Sequence, residues 1–258
     1  MQNAAESSEQ TLPLLPEEQL IAIVDAVASA ISTSTTSSAG RLPLRGHLYT
    51  ILLNYLRFIE PTTEDVRQRS LTAIVQKDAN KVIDRIVRDA LDGIDVLKTL
   101  ALTMLDALVQ LGSRASSTEI LVPLMTSHVG NLIKSLHDAQ LPRSYASSPE
   151  FANKLYVYEA KMRVLLRLAQ LDPISLLNKG LLAELSRNPI LQGSSDFSDH
   201  IDPVSTDPEV YQNMHAWLMP VLQLLLCLVA GKRNSSAVKS KVRLRAAVKS
   251  LNSSSCLI

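Results

Sequence analysis

The helical period of Leu155–Leu171, LYVYEAKMRVLLRLAQL, constrains this chain more than any other feature. Phe151, Leu155, Tyr158, Met162, Leu165 and Ala169 recur on alternating four- and three-residue steps. An α-helix closes a turn every ~3.6 residues, so these side chains share one stripe. Lys154, Glu159, Lys161, Arg163 and Arg167 fall on the opposite face. A strand alternates faces every second residue and would scatter the same apolar set to both sides. The segment therefore demands a helix, and a helix with a partner for its apolar stripe.

The same grammar fills most of the chain. Pro16 stands where a first helical residue belongs, with Glu17 and Glu18 near the positive end of the helix dipole. Leu20, Val24, Val27 and Ile31 continue as a seam, and Ser32–Gly40, STSTTSSAG, interrupts it as a linker. Pro43 opens a second helix through Leu48, Ile51, Leu52, Tyr55 and Ile59, which Pro61 stops. Thr62 or Thr63 caps a third through Val66, Leu71, Ile74 and Val75. Asp78 starts a fourth, with Val82, Ile83, Ile86, Val87, Ala90 and Leu91 spaced for burial and Gly93 as its stop.

Ile94 to Leu111 follows, with Leu97, Leu100, Ala101, Met104, Leu105, Leu108 and Leu111 as its apolar set and Gly112–Ser113 as its end. Two shorter helices are expected over Ser117–Ser127 and Val129–Gln140, then a loop over Pro142–Pro149 and the helix Phe151–Leu171. Pro173 starts a short segment that Gly180 separates from Leu181–Arg187. Asn188–Pro208 reads as a long surface loop carrying Pro189, Pro203 and Pro208. Glu209–Ala230 is the most apolar helix, and Ala237–Leu251 is a basic helix after the break at Gly231–Ser236. About ten to twelve helices with short connections specify an all-α fold, an α-solenoid-like stack of helical hairpins. No strict repeat recurs, so the stacking is of degenerate hairpins. The expected organisation is a disordered N-terminal tail over 1–15, a solenoid segment over 16–231 and a basic, Ser-rich tail or helix over 232–258.

Composition narrows the functional classes. Only 8 of 258 residues are Gly and aromatics make up 4%, which disfavours an all-β chain and the glycine-rich turns of dinucleotide or P-loop sites. The two cysteines, Cys227 and Cys256, cannot build a disulfide framework, and Cys227, in an apolar run, reads as a small core residue. The first ten residues, MQNAAESSEQ, are polar and acidic, unlike a signal peptide. Ala216–Ala230 is apolar, but about 22 Å of helix falls short of the ~30 Å hydrocarbon core, and it contains Pro220 and Gln223. It reads as a buried core helix, and no transmembrane segment is expected.

No catalytic or metal constellation interrupts the helices. Setting Gly93 at the sixth position of a calcium loop puts Arg88, Ala90 and Thr99 where ligands belong, so that loop fails. His47, His128, His137, His200 and His215 are scattered, without Cys or carboxylates at zinc spacing. Glu159 is expected in an ion pair. No enzyme activity, cofactor, metal or small-molecule substrate is expected. The net charge of +1 hides an asymmetry: Lys232, Arg233, Lys239, Lys241, Arg243, Arg245 and Lys249 lie in a span without acids. Taking these seven from the 26 basic residues leaves 19 against 25 acids. Lys239, Lys241, Arg243 and Arg245 are the candidate contacts to an anionic surface, and no aromatics interleave them for base stacking. One reading is thus a free-standing helical module that binds anionic membrane or nucleic acid through its C-terminal segment.

Three stretches carry a family resemblance: Lys81–Val109, Leu155–Ala169 and Tyr211–Val229. They contain Arg88–Asp89 before Asp92–Gly93, a Leu-Ala-Leu ahead of Leu105–Asp106, the Tyr-x-Tyr-Glu-x-Lys-Met of Tyr156–Met162, and the Leu-Met-Pro-x-Leu-Gln-Leu of Leu218–Leu224. Over roughly residues 45 to 231 the chain resembles the C-terminal part of the large α-helical scaffold nucleoporin of the nuclear pore complex inner ring; the tail after Gly231 departs from that pattern. The resemblance implies a small portion of a very long α-solenoid. It implies a structural role in the pore at the nuclear envelope and support of nucleocytoplasmic transport. The implied partners are the coiled-coil and linker nucleoporins of the inner ring, held in grooves between helices. A lone solenoid segment exposes unstacked apolar ends, so self-association is expected.

Overall fold

Residues whose apolar side chains recur at helical spacing form α-helices, and no strand occurs among the described residues. The computed structural model describes residues 16–34, 42–75, 81–115, 118–136, 149–187 and 208–230. The tail expected over 1–15 and the basic segment over 232–258 lie outside them. The helices are α1 (Glu17–Thr33), α2 (Leu42–Ile59), α3 (Glu64–Val75), α4 (Lys81–Asp92), α5 (Asp95–Arg114), α6 (Thr118–Pro123) and α7 (Val129–Lys134). They continue with α8 (Pro149–Leu171), α9 (Pro173–Asn178), α10 (Leu181–Ser186) and α11 (Pro208–Ala230).

One row runs through the molecule: α2 packs on α5, α5 on α8, and α8 on α11. The other helices form a second layer: α1 and α3 beside α4, α4 beside α5, α7 and α9 beside α8, and α10 beside α7 and α9. This is the stacked-hairpin architecture that the periodicity predicts. The row supplies the core. Tyr49, Leu52 and Leu56 of α2, Leu102, Met104 and Leu108 of α5, and Val164, Leu165 and Leu168 of α8 are all buried. α5 is buried on more than one side, because Leu102 and Val109 are as deep as Leu97, Ala101 and Leu108.

Several local readings change. Gly112 and Ser113 do not end α5, which runs on to Arg114. A Cβ on Gly112 would lie 3.6 Å from the Leu121 side chain, so that glycine marks where α6 approaches. The helices expected over Ser117–Ser127 and Val129–Gln140 are one run rather than two: α6 passes through a π turn at Leu124–His128 directly into α7, which ends at Lys134, and residues 137–140 lie outside the described residues. Pro123 removes a donor from that ladder, and the run widens there instead of breaking. Of the apolar residues named for α2, Ile51 is 49% exposed, while Tyr49 and Leu53, not named there, are buried. Lys161, expected on the solvated face of α8, is buried and donates from Nζ to the Ser135 carbonyl at 2.8 Å.

The turns that hold the hairpins follow local chemistry. The Gly93 N–H donates to the Asp89 carbonyl at 3.0 Å. A Cβ at Gly93 would collide with that oxygen, so the α4 stop needs glycine. Asp172 caps α9 by accepting from the Ser175 N–H at 3.1 Å, with Pro173 at the first helical position. Gly180 joins α9 to α10 at φ 91, a left-handed conformation that favours glycine.

Candidate functional site

The acidic stretch after Arg88 folds into a packing device, not a cation loop. Asp89 points into the core, where its Oδ2 lies 3.2 Å from Arg45 Nε and accepts from the Tyr49 hydroxyl at 2.7 Å. Arg45 and Asp89 are both nearly fully buried. Burial first, then the charge and hydrogen bond of Asp89, push the Tyr49 phenol far above its ordinary range. The cluster pins α2 to α4. A second polar pair, Tyr55 Oη and Ser70 Oγ at 2.8 Å, pins α2 to α3. His128 Nε2 sits 2.7 Å from Asp84 Oδ1 and ties the π turn to α4. No group of three or more His, Cys, Asp or Glu able to hold a metal occurs among the described residues. Cys227 packs against the core, and burial raises its thiol above the ordinary range, which suppresses thiolate chemistry.

Among the described residues, a surface feature with room for a ligand lies between α8 and α11. α11 buries Trp217, Val221, Leu224 and Leu228. Trp217 stacks on Tyr158 of α8 with ring centroids 4.2 Å apart at 27°, a contact between two large rings that adds to the apolar burial of the seam. Beside this seam the helices part around a cavity of about 460 Å³, with Met162, Leu166 and Met219 among its apolar lining and Glu159, Arg163 and His215 among its polar lining. Pro220 also lines it. A smaller cavity of about 160 Å³ lies between α2, α5 and α8, and Arg163 lines that one too. Around it Glu60 Oε1 accepts from Gln110 Nε2 and Arg114 NH1, each at 2.6 Å, and Arg167 is paired with Asp106. Glu159 makes no ion pair with another described residue, contrary to the expectation for it.

The basic residues singled out in the sequence, Lys239, Lys241, Arg243 and Arg245, lie outside the described residues. The residues that line the groove appeared in sequence only as parts of other patterns. Arg163 was one of several charges on a helix face, and Pro220 was an interruption in an apolar run. Nothing in the linear order placed α8 beside α11, and the loop expected over Asn188–Pro208 lies outside the described residues up to 207.

The family model for the nuclear pore complex scaffold nucleoporins 186, 192 and 205 matches residues 1–252, so it extends beyond the expected 45 to 231 and takes in most of the tail after Gly231 that was read as departing from the pattern. The chain belongs to this scaffold nucleoporin family. It is 28% identical over 216 residues to nuclear pore complex protein Nup205 of Homo sapiens, covering 70% of this chain and 10% of that protein. It is also 28% identical over 183 residues to Nup205 of Drosophila melanogaster, covering 67% of this chain and 9% of that one. The chain thus spans about a tenth of the length of the curated relatives it matches. In this nucleoporin segment the stretches that carried the resemblance fall on α4–α5, α8 and α11. Their distinctive residues do structural work: Asp89 holds Arg45, Tyr158 holds Trp217, and Pro220 shapes the groove wall.

Proposed function

We propose that this chain is a structural scaffold segment of the inner ring of the nuclear pore complex. In this reading it resides at the nuclear envelope, binds coiled-coil and linker nucleoporins through grooves between its helices, and supports nucleocytoplasmic transport by holding them in place. The observation that carries the reading is the scaffold family match over residues 1–252, laid over a row of stacked helices. Stacked hairpins form a stiff, curved support, and the seams between them offer apolar anchoring points. The work is mechanical rather than catalytic.

The test is to follow the tagged chain in its own cells and to capture it at low and high salt, with partners identified by mass spectrometry. Location at the nuclear rim with inner-ring nucleoporins retained at high salt is the expected result. A partner set of nucleic-acid or lipid-associated proteins that washes off with salt, and disappears on deleting residues 232–258, would replace this reading. It would favour the anionic-surface reading through Lys239, Lys241, Arg243 and Arg245.

A further inference from the structure

The groove between α8 and α11 differs from an ordinary seam in two ways. Pro220 stands inside α11 and has no N–H, so the carbonyl at Ala216 lacks its usual helical donor. Ala216 and Pro220 both line the cavity, so the turn of α11 that lacks this helical hydrogen bond forms part of its wall. The second difference is charge. Arg163 lines both this cavity and the one between α2, α5 and α8, so the two adjoin at its side chain. There the carboxylates are already engaged, Asp106 by Arg167 and Glu60 by Arg114. Arg57 and Arg163 make no ion pair with another described residue, and Glu159 is the single carboxylate lining the two cavities that is likewise uncommitted. With Glu60 and Asp106 committed to Arg114 and Arg167, the joined groove has Arg57 and Arg163 against Glu159, one positive charge in excess, and Arg163 stands beside the apolar floor of Met162, Leu166 and Met219.

We propose that this joined groove binds a partner segment that places an apolar side chain on the Met162–Met219 floor beside a carboxylate on Arg163. The larger cavity, about 460 Å³, falls in the size range that holds a specific ligand group. A backbone N–H of the segment, next to its apolar anchor, is the natural donor for the Ala216 carbonyl. The acidic residue selects the segment and sets its direction, and the apolar contact supplies most of the affinity. The proposal rests on the scaffold reading above and names the chemistry of one binding partner.

The experiment selects binders to the full chain from a displayed library of short random peptides, then measures each by fluorescence polarisation. The expected peptides carry Asp or Glu beside Leu, Met or Phe. Their binding should weaken roughly tenfold or more on Arg163→Glu and be lost on Met219→Asp. Changing the peptide's acid to Lys should restore binding to the Arg163→Glu chain. Arg163→Gln gives an intermediate loss, and unchanged Trp217 emission shows that the α8–α11 seam is intact in each variant. The proposal is overturned if no peptide is selected, if binding ignores Arg163, or if it is lost on Leu226→Asp at the outer face of α11 instead. Those outcomes leave the scaffold reading standing when the same chain reaches the nuclear rim. Absence of the wild-type chain from the rim defeats that reading whatever the peptides do.

Discussion

α5 and α11 are the two helices among the described residues long and apolar enough to cross a membrane by length and composition, and the fold treats them in opposite ways. Of the apolar window in α5, 50% is buried, against 22% for the window in α11. α5 is flanked by α2, α4, α6 and α8, whereas α11 packs mainly on α8. The lesson is that periodicity reveals that a helix has an apolar face, and the number of neighbours decides how much of the helix disappears. With α8 as its main neighbour among the described residues, α11 retains an apolar outer side. Leu226, 68% exposed on α11, is that side, and it departs from the expectation that α11 would be enclosed.

The largest effect that would break this comparison comes from equal truncations in the two helices. Leu102 in α5 and Leu224 in α11 are both fully buried, so Leu→Ala removes the same group. Leu102→Ala is expected to cost about 4 kcal/mol, because a site hemmed in by several helices cannot collapse around the cavity. Far-UV circular dichroism and the emission of Trp217, the chain's only tryptophan, should then lose their signals together in urea. Leu224→Ala should instead move Trp217 emission to lower urea and leave the circular dichroism midpoint nearly unchanged, since α11 detaches as a local unit. Coincident shifts of both probes in Leu224→Ala would show that α11 is as integrated as α5.

A smaller effect separates the regions by chemistry. The Arg45–Asp89 pair binds α2 to α4, while no buried charged side chain among the described residues lies on α11. Asp89→Asn leaves the Arg45 guanidinium buried without its counter-charge, and about 3 kcal/mol of stability should go with it. Replacing both partners, as Arg45→Met with Asp89→Leu, should recover most of the loss, because well-packed apolar groups often substitute for a buried ion pair. A double variant as unstable as Asp89→Asn alone would mean that the pair, and not merely charge balance, holds α2 on α4.

Most of the fold was legible because each helix carries its own apolar stripe, proline start or glycine stop. The departures have local causes. Gly112 looked like a terminator, but the packing of α6 against it holds the helix through that position. Lys161 was misplaced because one solvated face was assumed for α8, whereas this helix packs against more than one neighbour. The groove was the illegible part. Arg163, Pro220 and His215 acquire a common surface only when α11 packs on α8, and no spacing rule reports that. The Asp89 cluster was half legible: its failure as a calcium loop was plain in the ligand positions, but the Arg45 partner lies 44 residues earlier on a different helix.

The smallest effect appears with pH. Tyr49 is fully buried and its phenol pKa is raised, by burial first and by Asp89 second. In the unfolded chain a tyrosine titrates near ~10. Below that pH the group is protonated in both states, and it adds no pH dependence. Above it the unfolded chain releases the proton while the folded chain keeps it, so stability falls as pH rises until the folded group itself titrates. Tyr49→Phe should be about 1–2 kcal/mol less stable at neutral pH, having lost its bond to Asp89. Its alkaline decline should be shallower than wild type by up to about 1.4 kcal/mol per pH unit. Tyr55 is raised in the same direction and is common to both chains, so it cancels in the difference. Urea midpoints by circular dichroism at rising alkaline pH should show this difference, while the separate undocking of α11 reported by Trp217 should not. Equal alkaline slopes for wild type and Tyr49→Phe would mean that water reaches the phenol, and that the contrast between the charge-pinned α2–α4 contact and the apolar α8–α11 seam is weaker than the packing indicates.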